Sequence, residues 1–248
     1  TAYKPVAIVG CGLIGTLWAR HLREDTVLAA VWNGTPKDEW ASLQCALEEI
    51  PERAEVIHMC LSDERATETA IGEMLAALSD HHLVIQSATI DPDTSERCGA
   101  RVVERGARYL EAPFTGSTDG AKTRSTVFYC GGDRETADYA EPYLSRLSKV
   151  RYHLGTMRAA CVVKLALNLQ FSAQVVALAE GLSLCRKEGV EDERFVEALR
   201  ATFGCSRLLE AKYEHMHTNS FEAQFSLANM AKDMRPLLWA AGDVRAGL

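Results

Sequence analysis

Val6-Ala-Ile-Val-Gly10-Cys-Gly12-Leu-Ile-Gly15 decides the fold. A short β-branched apolar run reads as a buried strand. It breaks at Gly10, and from Leu13 the apolar positions (Leu13, Ile14, Leu17, Trp18, Leu22) recur at helical spacing. The stretch is therefore a strand, a tight turn and a helix. Gly10 permits the turn, Gly12 lets a pyrophosphate approach the backbone, and Gly15 lets the helix pack closely on the strand. The N–H groups of Leu13, Ile14 and the rest of the first helical turn then face the phosphates. A lone GxGxxG is a weak signal; after a strand and opening a helix it carries the context that dinucleotide binding requires.

Outward from this turn, the second strand is Val27–Trp32, ending in Asn33-Gly34-Thr35-Pro36-Lys37. An acidic residue here would bind the adenosine ribose and select NAD. Asn33 leaves room for a 2′-phosphate, with Thr35 and Lys37 as its partners; a solvated Asn-Gly turn is the equally weighted alternative. Residues 36–54 are short for a full crossover, with one weak helical segment around Leu43–Ile50. Strand Val56–Leu61 ends at Ser62, so Leu61 and Ser62 border the expected cofactor crevice, as does Thr89 beyond strand Leu83–Gln86. His58 lies inside its strand and reads as a packed histidine rather than a catalytic one. Asp93 or Thr94 is the expected cap of the next helix. Further strands are expected at Arg108–Leu110, Thr126–Cys130 and Val150–His153.

After Gly155 the texture changes. Met157 to Glu188 reads as one long apolar helix, followed by helices near Asp192–Phe203, Ser206–His217 and Phe225–Ala241. The expected architecture is α/β, a Rossmann-type doubly wound sheet in a dinucleotide-binding domain (1–155), followed by an all-α substrate and dimerisation domain (156–248).

Composition narrows the function. The 248 residues are 47% apolar with a net charge of −7, enough for a large core and without a basic face for nucleic acid. The eight cysteines are dispersed, with no CxxC pair. They read as buried thiols of a reducing cytoplasm, not as disulfides or metal ligands. No export signal and no membrane span are expected.

Lys164 and Asn168 stand one turn apart on the long helix, amid Cys161, Val162, Val163, Leu165 and Leu167. A lysine in such surroundings is either a snorkelling side chain at a domain edge or a proton-exchanging amine whose pKa desolvation draws toward neutrality.

The chain resembles the β-hydroxyacid dehydrogenase family, which includes 3-hydroxyisobutyrate dehydrogenases and glyoxylate/succinic semialdehyde reductases. The resemblance rests on Gly10–Gly15, Trp32-Asn-Gly-Thr35, Thr89-Ile-Asp-Pro92, Glu111-Ala-Pro-Phe-Thr-Gly-Ser117, Gly155 with Lys164 and Asn168, and Lys232-Asp-Met-Arg235, in family order along nearly the whole chain. The Glu111–Ser117 and Lys232–Arg235 forms are nearest the reductase branch. The resemblance implies Lys164 as the catalytic general acid/base, Thr115, Gly116 and Ser117 as the carboxylate cradle, and Asn168 as a substrate-orienting amide. Lys232 would lie near substrate and nicotinamide, and Thr89 on the nicotinamide side. It implies hydride transfer between NADP (or NAD) and a small carboxylate-bearing substrate, with no metal, in a homodimer. Imine reductases share the architecture but generally lack the lysine at 164; a dinucleotide-binding regulatory protein without turnover is the remaining alternative.

Several departures stand out. Gly34 replaces the arginine that usually follows the asparagine, Ala88 stands for a serine, and Ser125-Thr126 precedes its strand in place of Gly-Thr or Gly-Leu. The short 36–54 region predicts a reduced strand or helix. The chain also stops soon after Lys232, where relatives continue with helix; either site closure and dimerisation are weakened or the chain is incomplete.

Overall fold

The computed structural model describes residues 4–220 and 230–233. The chain divides into two compact units, Thr1–Leu165 and Ala166–Leu248.

The first unit is built on five strands: β1 (Val6–Val9), β2 (Leu28–Trp32), β3 (Val56–Met59), β4 (Leu83–Gln86) and β5 (Arg108–Glu111). They form one sheet in the order β2-β1-β3-β4-β5, and every pairing is parallel. Helices α1 (Leu13–Glu24), α2 (Ile50–Arg53), α3 (Glu64–Met74) and α4 (Pro92–Val103) make the crossovers. Strand alternation sends Val6 and Ile8 into one apolar cluster, with Trp18 and Phe128, and Ala7 and Val9 into another, with Ile57 and Met59. The sheet is thus covered on both faces, as an all-parallel sheet must be.

Between β2 and β3 the segment 38–53 holds two single-turn 3₁₀ helices (Asp38–Trp40 and Leu47–Glu49) and the four-residue α2. This corrects the expected helix over Leu43–Ile50. Ile50 opens α2, and Pro51 sits in its first turn, where a missing N–H is tolerated. Outside β2 only an isolated parallel bridge, Val31 to Gln44, remains where a further strand would stand, which accounts for the short segment. The cap of α4 is also corrected: Asp91, not Asp93 or Thr94, accepts the Thr94 N–H at 2.9 Å. Pro92 takes the first helical position, where its missing N–H costs nothing.

A second, three-stranded sheet follows: β6 (Phe114–Thr115), β7 (Thr126–Cys130) and β8 (Ser148–His153), in the order β6-β7-β8. Helix α5 (Ser117–Lys122) joins β6 to β7, and α6 (Arg134–Leu144) joins β7 to β8. The two-residue β6 was not legible as a strand.

Helix α7 (Met157–Lys187) opens in the first unit and runs on into the second, so the division between the compact units falls inside it. By length and composition alone this helix is long and apolar enough to cross a membrane, a criterion that the core helix of a soluble protein also meets. In the second unit its Leu178 and Leu182 pack with Val196 of α8 (Asp192–Arg200) and with Leu209 and Tyr213 of α9 (Arg207–His217). Residues 230–233 are helical, and the rest of the helix expected over 225–241 lies outside the described residues.

Candidate active site

The glycine turn has the geometry its sequence demands. Gly10 has φ +102°, and a Cβ on it would meet the Cys60 carbonyl oxygen at 2.4 Å; a Cβ on Gly15 would lie 1.9 Å from the Gly10 carbonyl oxygen. Neither position admits a side chain. A Cβ on Gly12 would meet nothing within 4 Å, so the backbone there stands open to a ligand. Gly12 caps α1 without a side-chain hydrogen bond, and the first turn of the helix has no acidic residue. Leu13 is exposed and Ile14 half-buried. The turn has the features of a pyrophosphate cradle: free N–H groups, no competing carboxylate and room above the backbone.

The end of β2 is tied to this turn. The Cys11 N–H donates to Asn33 Oδ1 at 2.9 Å, and Asn33 Nδ2 donates to the Thr35 carbonyl at 2.6 Å. Lys37 Nζ reaches the Cys11 carbonyl at 2.5 Å and the Thr16 hydroxyl at 3.3 Å. Asn33, Thr35 and Lys37 therefore gather at the glycine turn, with Thr35 and Lys37 exposed. Asn33 has a structural task that the sequence did not reveal, holding the turn to the adjacent strand end. Leu61 also packs here: its Cδ2 would lie 3.0 Å from a Cβ on Gly10. Ser62 donates to Asp63 at 2.7 Å.

At the far side of the sheet, Thr89 is half-buried beyond β4. The Thr115–Ser117 step joins β6 to α5. Gly116 has φ +149°, and Ser117, which has a side chain, has φ +49°. A non-glycine residue in that region is strained. Thr115 Oγ1 accepts from the Tyr129 hydroxyl at 3.3 Å, so the Thr115 proton is left for another acceptor.

Lys164 is buried, with 9% of its surface exposed. Its Nζ lies 5.9 Å from the centroid of the Phe114 ring, the neighbour of Thr115. An aromatic face at that distance favours an ammonium. The first unit thus brings the lysine to the strand that leads into the Thr115–Ser117 step.

In the second unit Asn168 is buried and its Nδ2 donates to Asp233 Oδ2 at 2.9 Å. Asp233, itself buried, also pairs with Lys232 at 2.9 Å. Because Nδ2 donates to a carboxylate, the orientation of the Asn168 amide is set, with Oδ1 as its acceptor atom. Sequence reasoning missed Asp233; a carboxylate beside Lys232 in Lys-Asp-Met-Arg was the available signal. Met234 and Arg235 lie outside the described residues.

His58 is a core residue. It is fully buried, stacked on Trp18 and bonded through Nδ1 to the Tyr143 hydroxyl and through Nε2 to Ser87 Oγ, both at 2.7 Å. Burial pushes its imidazole down to about 3. Glu111, also fully buried, is pushed up by burial to about 8; sequence reasoning gave it no role beyond its place in the motif.

Two family profiles cover the chain. The NAD binding domain of 6-phosphogluconate dehydrogenase matches residues 5–162, and the NAD-binding region of NADP-dependent 3-hydroxyisobutyrate dehydrogenase matches 159–248. Glyoxylate/succinic semialdehyde reductase 1 of Arabidopsis thaliana is 27% identical over 97% of this chain and 86% of its own. The cytokine-like nuclear factor N-PAC of Mus musculus is 26% identical over 97% of this chain, which spans only 44% of that protein. Among solved structures, Mycobacterium tuberculosis 3-hydroxyisobutyrate dehydrogenase with L-serine has the same fold, with a TM-score of 0.89 at 23% identity over 99% of this chain and 89% of that one. An imine reductase from Myxococcus stipitatus has a TM-score of 0.74 at 16% identity, over 97% and 87% of the two chains.

Proposed function

Because the chain belongs to the β-hydroxyacid dehydrogenase family, we propose that it is an NAD(P)-dependent oxidoreductase acting on a small carboxylate-bearing hydroxyacid, aldehyde or keto acid of the glyoxylate, succinic semialdehyde or 3-hydroxyisobutyrate type. The observation that carries this reading is the buried Lys164 amine over the Phe114 ring. Nicotinamide, when bound, supplies or accepts the hydride at the substrate carbon. In reduction Lys164 as ammonium polarises the carbonyl and gives its proton to the oxygen; in oxidation neutral Lys164 takes the hydroxyl proton.

The Thr115 hydroxyl and the backbone N–H groups at Gly116 and Ser117 bind the carboxylate, fixing the reacting carbon before chemistry. Asn168 accepts from the substrate hydroxyl through Oδ1, the orientation its bond to Asp233 favours. Lys232 adds positive charge near the substrate. Thr89 lines the nicotinamide side, with Leu61 and Ser62 at the neighbouring strand end. NADP is the proposed cofactor, with Lys37, Asn33 and Thr35 toward the 2′-phosphate; the uncharged Asn33 also admits NAD. The eight free cysteines support a reducing compartment, and the exposed Val176 and Leu184 on α7 support a homodimer.

The test is NADPH and NADH oxidation with glyoxylate, succinic semialdehyde and a cyclic imine. Consumption with the carboxylate-bearing aldehydes is expected. Consumption with the imine alone would make the protein an imine reductase, and nucleotide binding without any turnover would make it a non-catalytic dinucleotide-binding protein.

A further inference from the structure

Glu111 ends β5 and is locked there by its backbone: its N–H donates to the Gly131 carbonyl at 2.9 Å, and the Gly131 N–H donates back at 2.7 Å. Its carboxyl lies in a closed polar cluster. Oε2 meets the Ser95 hydroxyl at 2.5 Å and the Tyr109 hydroxyl at 3.2 Å. Oε1 accepts from Gln86 Nε2 at 3.1 Å. Gln86 in turn holds both backbone groups of Ala88: Oε1 accepts the Ala88 N–H at 2.5 Å, and Nε2 donates to the Ala88 carbonyl at 2.9 Å. Gln86, Ser95 and Glu111 are fully buried and Ala88 nearly so. One carboxyl oxygen therefore fixes the carboxamide that grips the residue before Thr89.

We propose that the buried carboxyl of Glu111 is the positioning residue for the Ala88–Thr89 turn, acting through the side chain of Gln86. Its consequence for cofactor binding rests on the dinucleotide reading above; its effect on the turn does not. Glu111 touches neither cofactor nor substrate in this assignment. Ser95, Tyr109, Cys161 and Gln86 all bond to the carboxyl and hold its pKa down, but burial outweighs them. The titratable groups facing it are Tyr109 on its own strand, Cys98 on α4 and Cys161 on α7. All three are pushed up by burial and by the Glu111 charge, so Glu111 ionises first. Below pH 8 the neutral acid sits in this cluster without an uncompensated charge. Above pH 8 the anion must be solvated or must draw its donors closer, and either change disturbs the Gln86 grip. The hold on the turn therefore weakens as pH rises toward 8 and weakens no further beyond it.

The experiment follows amide hydrogen exchange of residues 86–91 in the full chain from pH 6.5 to 9, corrected for intrinsic exchange, alongside NADPH affinity. Native protection is expected to fall by about tenfold per pH unit up to pH 8 and to level off above it, because one-proton linkage acts only between the released and the buried pKa of the carboxyl. Glu111→Gln, which keeps the acceptor for Gln86 but does not ionise, should remove this slope between pH 6.5 and 8. Ser95→Ala removes a partner that lowers the Glu111 pKa and should move the levelling-off to higher pH; it serves also if Glu111→Gln fails to fold. A slope between pH 6.5 and 8 unchanged in both variants, or its absence from the native protein, overturns the assignment. If the exchange behaves as expected and no dinucleotide binds at any pH, the assignment stands and the cofactor reading falls.

Discussion

Lys164 Nζ stands 5.9 Å from the Phe114 ring centroid, next along β6 to Thr115. The same short strand that leads into the Thr115–Ser117 step thus supplies an aromatic face for the amine. A cation–π contact of this kind is worth about 0.5–2 kcal/mol, which offsets part of the desolvation of a buried ammonium.

Lys164→Ala is expected to lower kcat by about 10²–10⁴-fold, the usual contribution of a positioned acid/base, with nucleotide affinity near the native value. Lys164→Arg should not rescue it, because a guanidinium stays protonated at working pH. Steady-state rates and nucleotide titration decide the matter. A variant that retains most of the native rate would assign the proton to another group.

Lys37→Ala separates the two dinucleotides. If the ammonium meets a 2′-phosphate, NADPH affinity should fall by about tenfold, or roughly 1.4 kcal/mol, while NADH affinity stays unchanged. Lys37 also bonds the Cys11 carbonyl and the Thr16 hydroxyl. Equal weakening of both nucleotides would therefore make it a support of the glycine turn and remove it from cofactor choice.

Much of this fold was legible because its requirements are local. The β1 turn announces itself through backbone positions that exclude a Cβ, and Lys164 through a charge set in an apolar helix. The short 36–54 segment likewise predicted a reduced strand or helix, and it holds single-turn helices, the four-residue α2 and the Val31–Gln44 bridge. What escaped the sequence is what depends on distant partners. Asp233 meets Asn168 only after the chain has passed through α8 and α9, and no spacing rule connects them. Gln86 and Glu111 end neighbouring parallel strands in register, so their contact follows from strand order rather than from either stretch alone. Asp91 caps α4 in place of the expected Asp93 or Thr94 because Pro92 claims the first helical position.

Gly15→Ala should be strongly destabilising. Its Cβ would lie 1.9 Å from the Gly10 carbonyl oxygen, a backbone atom that cannot swing away, so α1 must shift from β1. Overpacking of this kind costs about 1–3 kcal/mol and occasionally more. Gly12→Ala, with open space at the same atom, should leave stability near native and weaken nucleotide binding. Urea denaturation and nucleotide titration of the pair test this; equal stability losses would contradict the division of labour between the two glycines.

His58 sets the acid limb of stability. Ser87 Oγ donates its proton to the Ala112 carbonyl at 2.6 Å, so it accepts from His58 Nε2–H, and Nδ1 accepts from the Tyr143 hydroxyl. The buried ring is neutral and its pKa is pushed down to about 3 from 6.5. Between those values the unfolded chain binds a proton that the folded chain refuses, so stability falls as pH drops below 6.5, by about 1.4 kcal/mol per unit. Glu111 acts in the opposite sense: with its folded pKa raised to about 8 from 4.5, it favours folding as pH falls from 8 to 4.5. The two effects oppose one another between pH 6.5 and 4.5, and His58 acts without that opposition below 4.5. His58→Gln removes the titrating ring, so its stability should decline less steeply than native between pH 4.5 and 3.5 when both are followed by urea denaturation. Parallel declines in the two proteins would mean that His58 is protonated in the fold.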